Sequence, residues 1–348
     1  MKNLMKGIIF AISASLSLVG FSATLPSDKT VIGFSHYTGW EPYAYIRDFG
    51  IMKDVNTEMG TNIDIRFYGT YDASLGDYVG GAIHGVTMTN IDALMLATSV
   101  SSLGVISGDT SHGNDGVVVS GYDSCSDLKG EKIYLFTKSV SHYMLDKFLA
   151  TCGLTDLDVQ LEHNSDASDL AVLFNQKVQD GEPIAVVTWN PALQTIMLNP
   201  KAKILFSSAD IKGEISDWLF VRNDGTVSEK DIEALNEMWY RAMKIMTTRS
   251  AEQTEMISFM ANYSGASKSM FEQQLKTTRF FNTKSSAKKE IEGENQISIM
   301  TDVISFVEKE DLLGDYLDTS EFGVKVANGS VIGDDQNVIL EFTSKYVQ

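Results

Sequence analysis

Trp40 and Glu41 stand side by side in the stretch "TGWEPYAYI", directly after a short apolar run, "TVIGFSH". A flat ring beside a carboxylate at a strand-to-helix turn does little for a soluble fold. A ligand site can use both: the ring stacks on a flat group and the carboxylate accepts hydrogen bonds from its N–H donors. Three further turns share this style. "MTNID" offers Thr89 or Asn90 as a helix N-cap, with Asp92 in the first turn. "TKSVSHY" offers Ser139 or Ser141, with His142 and Tyr143 following. "TWNPAL" places Trp189 before Asn190 as the cap and Pro191 at the first helical position. Capping accounts for each turn taken singly, and first-turn acids such as Asp92 are common. It does not account for the recurrence of Trp40, Tyr143 and Trp189.

The charges at these turns decide the ligand class. The single base inside the four turns is Lys138, whereas acids are plentiful: Glu41, Asp92 and Asp115, with Glu214 and Asp217 further along. A sulfonate or nitrate site would call for Arg, Lys or bare helix N-termini. Acids together with Trp40, Tyr143, Trp189 and Trp218 suit a small planar nitrogen compound, guanidinium or urea. The expected ligand-binding set is Trp40, Glu41, Thr89, Asn90, Asp92, Ser141, His142, Tyr143, Trp189, Asn190 and Glu214. Tyr43 and Ile46, at helical spacing, are packing residues. The five histidines, His36, His84, His112, His142 and His163, show no paired ligand spacing, and there is no phosphate loop and no G-x-S-x-G elbow. The expectation is therefore a binding protein with no catalytic residue, metal or cofactor.

Elements that would hold such turns recur along the chain. "TVIGFSH" precedes a helical stretch near 40–58, "NIDIRFYG" one near 73–82, "HGVTMT" precedes "NIDALMLA", "EKIYLFT" precedes "SHYMLDKFLATCG", "DVQLEHN" precedes "DLAVLFNQKVQ", and "PIAVVTW" precedes "NPALQTIML". "GVVVSGY", "KILFSS" and "WLFVRN" have no helix partner. Helical patterns dominate from about 228 to 313, and "VKVANGSVIG" reads as a hairpin with Asn328-Gly329 at a type I′ turn. Strands alternating with helices predict parallel sheets covered by helices, with the strand-to-helix turns gathered at one edge, where open α/β sheets bind ligands.

With 348 residues the chain is long enough for two cores. Its start, "MKNLMKGIIFAISASLSLVGFSA", has two lysines, an apolar run and small residues, the anatomy of a cleavable signal peptide over 1–23. The formal net charge is −18 and becomes more negative once Lys2 and Lys6 are removed. Such a chain repels nucleic acid and anionic lipid. Cys125 and Cys152 flank a strand and its following helix, whose antiparallel return brings them near each other; export permits a disulfide, and two unrelated thiols are the alternative.

"GWEPY", "MTNIDALM", "GNDGVVV", "VSHYML", "VTWNP" and "SSADIKGEISDWLFV" together resemble the substrate-binding proteins of nitrate/taurine-type ABC importers, and most closely a branch associated with urea or guanidine use. The resemblance covers roughly residues 30–245. It implies a two-lobed α/β periplasmic-binding-protein fold of type II, each lobe a mostly parallel sheet flanked by helices, joined by two crossing strands near "GVVVSG" and "DWLFVR". Lobe one would be 24–118 plus 218–348 and lobe two 119–217. It also implies a monomeric periplasmic receptor that closes over a small solute and docks on a permease with its own ATPase subunit. A receptor for an anion such as nitrate or an aliphatic sulfonate is the alternative, with an exported enzyme of the related pyrimidine-synthase fold behind it; the Cys-rich iron motif of that enzyme is absent here.

Overall fold

The computed structural model describes residues 24–316 and 318–347; the expected signal peptide, 1–23, lies outside them. In chain order the elements are β1 (Thr30–Phe34), α1 (Pro42–Asp48), α2 (Ile51–Met59), β2 (Ile63–Phe67), α3 (Tyr71–Val79), β3 (Gly85–Thr89), α4 (Asn90–Ala97) and β4 (Ser102–Ser111). A second group follows: β5 (Asp115–Ser120), β6 (Lys132–Leu135), α5 (Val140–Ala150), β7 (Gln160–His163), α6 (Ala167–Gln179), β8 (Ile184–Trp189), α7 (Ala192–Met197) and β9 (Lys203–Ser207). The chain then returns through β10 (Ser216–Arg222), α8 (Glu229–Thr247), α9 (Ala251–Tyr263), α10 (Lys268–Gln274), β11 (Thr278–Phe280), α11 (Lys284–Ile291), α12 (Asn295–Lys309), β12 (Gly323–Lys325), β13 (Val331–Gly333) and β14 (Val338–Phe342).

These strands form two sheets, one per lobe. The larger has the order β13-β12-β14-β4-β10-β3-β1-β2, with β11 also on β4; the smaller has the order β7-β6-β8-β5-β9. The chain passes from the larger sheet to the smaller between Ser111 and Asp115 and returns between Ser207 and Ser216. "GVVVSG" and "DWLFVR", expected near the crossings, are the strands that follow them. Each runs antiparallel to its neighbours: β5 to β8 and β9, β10 to β3 and β4. A strand entering from the cleft side must run away from the cleft, whereas its neighbours β3 and β8 run towards it. Both sheets are therefore mixed rather than simply parallel, and the starts of β5 and β10 lie beside the carboxyl ends of β8 and β3.

Local chemistry explains the element boundaries. The helical stretch near 40–58 is two helices, because Gly50 at φ 88° breaks it; that backbone region costs any residue with a Cβ. Pro42 opens α1, where its missing N–H is no loss. Thr89 caps α4, accepting from Asp92 N at 3.1 Å, and Ser139 caps α5, accepting from Ser141 N at 3.1 Å. The α7 helix begins only at Ala192, later than expected, yet the Asn190 side chain still accepts from Gln194 N at 3.0 Å. The hairpin between β12 and β13 is present, but its turn is not type I′. Val326 O accepts from Gly329 N, and positive φ is confined to Gly329 (91°), as in a type I turn closed by a bulge.

The long C-terminal helical region belongs to the larger lobe and braces the smaller one. Helix α12 packs against α4 and reaches over to α5: Lys147 meets Asp302 at 2.7 Å, Lys309 pairs with Asp146, and the Phe306 ring lies edge-on to His142 and Tyr143. On the other flank Gln194 Nε2 donates to Met270 O at 3.1 Å and Ser165 Oγ to Asp72 at 2.9 Å. The two lobes are closed on each other.

Cys125 and Cys152 form a disulfide, with Cα atoms 6.0 Å apart. It ties the segment before β6 to the end of α5 across a sequence separation of 27. Replacing both cysteines by alanine should lower the unfolding free energy by about 2–4 kcal/mol, because the unfolded chain loses its cross-link. Urea unfolding of the natural protein and the double variant measures this, and equal midpoints would refute it.

Candidate functional site

Between the lobes lies a small cavity lined by Tyr37, Trp40, Tyr71, Thr89, Asp115, Val140, Trp189, Ile215 and Asp217. The space open to the centre of a water-sized molecule is about 20 Å³, room for a water or two or for a ligand of few heavy atoms. A wider vestibule adjoins it, sharing Tyr71 and Trp189 and adding Ser35, His36, Thr70, Ser165 and Asp166.

Register puts these residues together. Asp217, near the start of β10, pairs with Thr89 at the end of β3 on one side and with Asp109 of β4 on the other. Directly opposed residues of an antiparallel pair point to the same face, so Thr89, Asp217 and Asp109 form one row across three strands. In the smaller sheet Asp115 at the start of β5 pairs with Trp189 at the end of β8. Tyr37 and Trp40 come from the turn after β1, Tyr71 from the start of α3 and Val140 from the start of α5. The aromatic walls touch one another: Trp40 lies 5.1 Å from Tyr37 and 5.2 Å from Tyr71, and Tyr71 lies 6.1 Å from Trp189 between ring centres.

Two buried aspartates, Asp115 and Asp217, line this space and two more, Asp92 and Asp109, are buried behind the lining; among the described residues no Lys or Arg lines it. Asp92 is the best served. Its carboxylate accepts from Tyr71 OH at 2.7 Å and Thr89 Oγ1 at 2.9 Å, and from Val140 N of the other lobe at 3.0 Å. Burial still outweighs these bonds and pushes Asp92 up to about 6. Asp115 accepts from Ser111 Oγ and is likewise pushed up to about 6 by burial. Asp109 accepts from Tyr37 OH at 3.2 Å, while its Oδ2 has no partner; burial first, then the charge of Asp115, lift it to about 8. Asp217, 3% exposed, also has an Oδ2 without a partner, and burial and Asp109 drive it well above the usual carboxylate range. Gly39 permits this crowding, since a Cβ there would stand 2.0 Å from Asp109 Oδ2.

Of the residues expected from sequence, Trp40, Thr89 and Trp189 line the cavity. The others lie outside its lining. Glu41 is buried but turns to His36, with Oε1 2.8 Å from Nδ1; burial raises its pKa despite that partner. Asn90 ties α4 to the second crossing, donating to Glu214 O at 3.0 Å and accepting from Ser216 N at 2.9 Å. Asp92 joins the lobes, as above. Ser141 packs in the first turn of α5, and Tyr143 OH donates to Glu214 at 2.6 Å. Glu214 also meets Lys147 at 3.0 Å. Asn190 donates to Asn114 Oδ1 at 2.8 Å. Trp218 faces the opposite side of the sheet from Asp217, donates to Ser216 Oγ at 2.9 Å and packs on Phe220 and Phe342. Tyr37, Tyr71, Asp115, Val140, Ile215, Asp217 and, behind the lining, Asp109 were outside the expected set, although Asp115 and Asp217 are among the acids noted near the turns; the signal for Asp109 was an acid within an apolar strand, "GVISGDTS".

His142, Asp156 and Glu310 gather with ligand atoms within 4.8 Å of one another. Their chemistry does not favour a metal. His142 Nδ1 accepts from Lys138 N at 3.3 Å, so Nε2 carries the proton and points towards Glu310 at 3.6 Å. A metal-bound imidazole has the reverse arrangement, donating through its second nitrogen. The Lys309 ammonium already stands 3.1 Å from Glu310 and 3.6 Å from Asp156.

Raised carboxyl pKa values carry a stability sign. A group whose folded pKa lies above its unfolded value keeps its proton longer in the folded state. Stability is then lost as pH rises from the unfolded value through the folded one. For Asp92, Asp115 and Asp109 that window runs from about 4 to about 8. The ligand-free protein should thus melt higher at pH 5 than at pH 8, and Asp109→Asn should remove part of the difference. Melting curves across that range, free of ligand, are the check; a Tm that climbs with pH would contradict it.

No family model matches the chain, and no curated protein matches it. Solved structures do. The alkanesulfonate-binding protein SsuA from Xanthomonas axonopodis pv. citri, bound to MOPS, superposes with a TM-score of 0.62 at 16% identity, covering 84% of this chain and 96% of its own. The periplasmic nitrate-binding protein NrtA from Synechocystis PCC 6803 gives 0.55 at 11% identity, covering 89% and 96%. The desulfurization enzyme DSZB gives 0.57 at 12% identity, covering 82% and 94%. At such identities the likeness is one of fold. With two helix-flanked sheets, two crossings and a cleft at the strand ends, the chain has the two-lobed α/β fold of the periplasmic binding proteins.

Proposed function

We propose that the protein is a periplasmic solute receptor of an ABC importer and that its solute is a small planar cation of the guanidinium type, with urea as the neutral analogue. The observation that carries the ligand class is the pairing of two buried carboxylates, Asp115 and Asp217, with the rings of Trp40, Tyr71 and Trp189 in a cavity lined by no base. A buried anion without a partner is costly, and a bound cation is the partner that removes the cost. Flat rings complete the match by stacking or cation–π contact. Nitrate or a sulfonate would bring its negative charge against these carboxyls with no base lining the space to meet it.

The fold supports the receptor reading, since named neighbours of the same fold bind small solutes in the periplasm. Export through the N-terminal segment, a permease and ATPase as partners, and action as a monomer follow from that reading. DSZB carries the same fold as an enzyme, so turnover of the bound compound is the competing class. It is separated by recovering the solute intact after prolonged incubation.

Isothermal titration with guanidinium, urea, nitrate and taurine tests the ligand class. Guanidinium or urea should bind and both anions should fail. Trp40→Ala should weaken binding by about 1–3 kcal/mol through lost stacking and buried area. Tight binding of nitrate or taurine, with neither nitrogen compound bound, would reverse the charge assignment.

A further inference from the structure

Asp109 and Asp217 pose a problem that the ligand reading alone does not solve. They sit directly opposite each other on adjacent antiparallel strands, pointing to the same face, where Cβ atoms are only about 4.5–5.5 Å apart. Both are essentially inaccessible, and each has an oxygen with no hydrogen-bond partner. The Tyr37 hydroxyl, with one proton to give, donates to Asp109 and also neighbours Asp217. Two like charges in that position repel and both lack solvent.

Among the described residues, none of the charged or titratable groups acting on the pair is a cation. The groups facing the pair are Tyr37 and, on α1, Tyr43, with Tyr71 on α3, Asp92 on α4 and Asp115 on β5. All are acids or phenols. Arg279 on β11 adjoins Phe280, the residue that pairs with Asp109, but its guanidinium is turned outward to Glu290 at 3.4 Å. The pair is thus short of one positive charge, and the cavity in front of Asp217 is the one place that can supply it.

We infer that Asp109 and Asp217 hold a single proton between them when the cleft is empty, and that a bound cation replaces that proton. Burial, which raises both carboxyls, acts in the same direction, helped by the charge of Asp115 on Asp109 and by the charges of Asp109 and Asp115 on Asp217. The exchange balances simply. The carboxylic acid of the pair loses its O–H proton to water, both carboxylates become ionised, and the cation takes the proton's place against Asp217. Asp217 is the group that touches the ligand; Asp109, behind it, is the positioning residue that makes the proton necessary. Neutral urea needs no such exchange, because a carboxylic acid can donate to its carbonyl while a carboxylate accepts from its N–H groups. Selectivity between the two should then depend on pH: guanidinium gains as pH rises and urea does not.

The inference rests on the cation reading, and titration calorimetry separates the two. Guanidinium chloride at millimolar concentration is titrated at pH 7 in two buffers of different ionisation enthalpy. About one proton should be released per guanidinium bound, and affinity should rise close to tenfold per pH unit below the titration of the pair. Urea should release none. Asp109→Asn should bind guanidinium with little proton release and a flat pH profile. Binding of guanidinium without proton release in the natural protein overturns this inference and leaves the cation reading standing; no binding of guanidinium overturns both. A ligand-independent readout guards against a variant that fails to fold. The natural empty protein at pH 7 should show the infrared stretch of a buried protonated carboxyl, and its absence would equally overturn the inference.

Discussion

The cleft is organised around a shortage of positive charge. Asp92, Asp109, Asp115 and Asp217 are all buried within one region, and nothing in the fold obliges an aspartate at any of these positions. Strand packing alone would favour apolar or hydroxyl side chains there. Burying carboxylates costs free energy unless each finds donors or a counter-charge. Some of that cost is offset locally, by Tyr71, Thr89 and the Val140 N–H on Asp92 and by Ser111 on Asp115. The remainder, on Asp109 and Asp217, is left standing. Such departures from local packing rules are expected at functional sites, where the missing partner is the ligand.

The same shortage links the site to the relation between the lobes. Asp92 begins in the larger lobe, at the first turn of α4, and accepts from the first turn of α5 in the smaller lobe. Asp115 lies at the first crossing and Asp217 just after the second. Bringing the lobes together therefore concentrates buried carboxyls, and under the proposed reading a cation between them would favour closure over opening. The ion pairs and ring contacts of α12 on α5 and the amide bonds of Gln194 act at the periphery, where they are more solvated and individually weaker. They set the geometry of the closed form, whereas the centre responds to what occupies it.

Much of this was legible in the chain before any coordinates. The strand–helix alternation, the caps at Thr89 and Ser139, and the placing of Trp40 and Trp189 against the cavity all follow from local rules that the fold obeys. The failures have equally local causes. Glu41 is adjacent to Trp40 in sequence, but successive residues at a helix start diverge, and Glu41 turns to His36. Trp218 was counted among the rings able to stack on a flat cation, yet the two-residue period of a strand sends it to the face opposite Asp217. Glu214 meets Lys147 and Tyr143 rather than the cavity, a pairing between distant segments that no local pattern encodes. Asp109 was passed over because an acid inside an apolar strand reads as an interruption, and its importance appears only when β10 is laid beside β4.

The contrast with fold neighbours sharpens what decides specificity. Proteins named for alkanesulfonate and nitrate binding, both anions, share this architecture, so under the proposed reading a different preference must come from the side chains at its edge. It delivers strand ends, helix starts and two crossings to one edge, and it leaves side chains there to be chosen freely. Helix N-termini at that edge favour anions by default. In this chain the default is countered: the first turn of α5 already donates to Asp92, and that of α4 is capped by Thr89 with Asp92 folded over it. At these two helix starts the Val140, Ser141 and Asp92 N–H groups are therefore engaged by protein carboxylate and hydroxyl oxygens, and the cavity beside them is bordered by the carboxyls of Asp115 and Asp217. Under the proposed reading, a cation preference needs no change of fold; it needs acids at the strand ends, in register with one another.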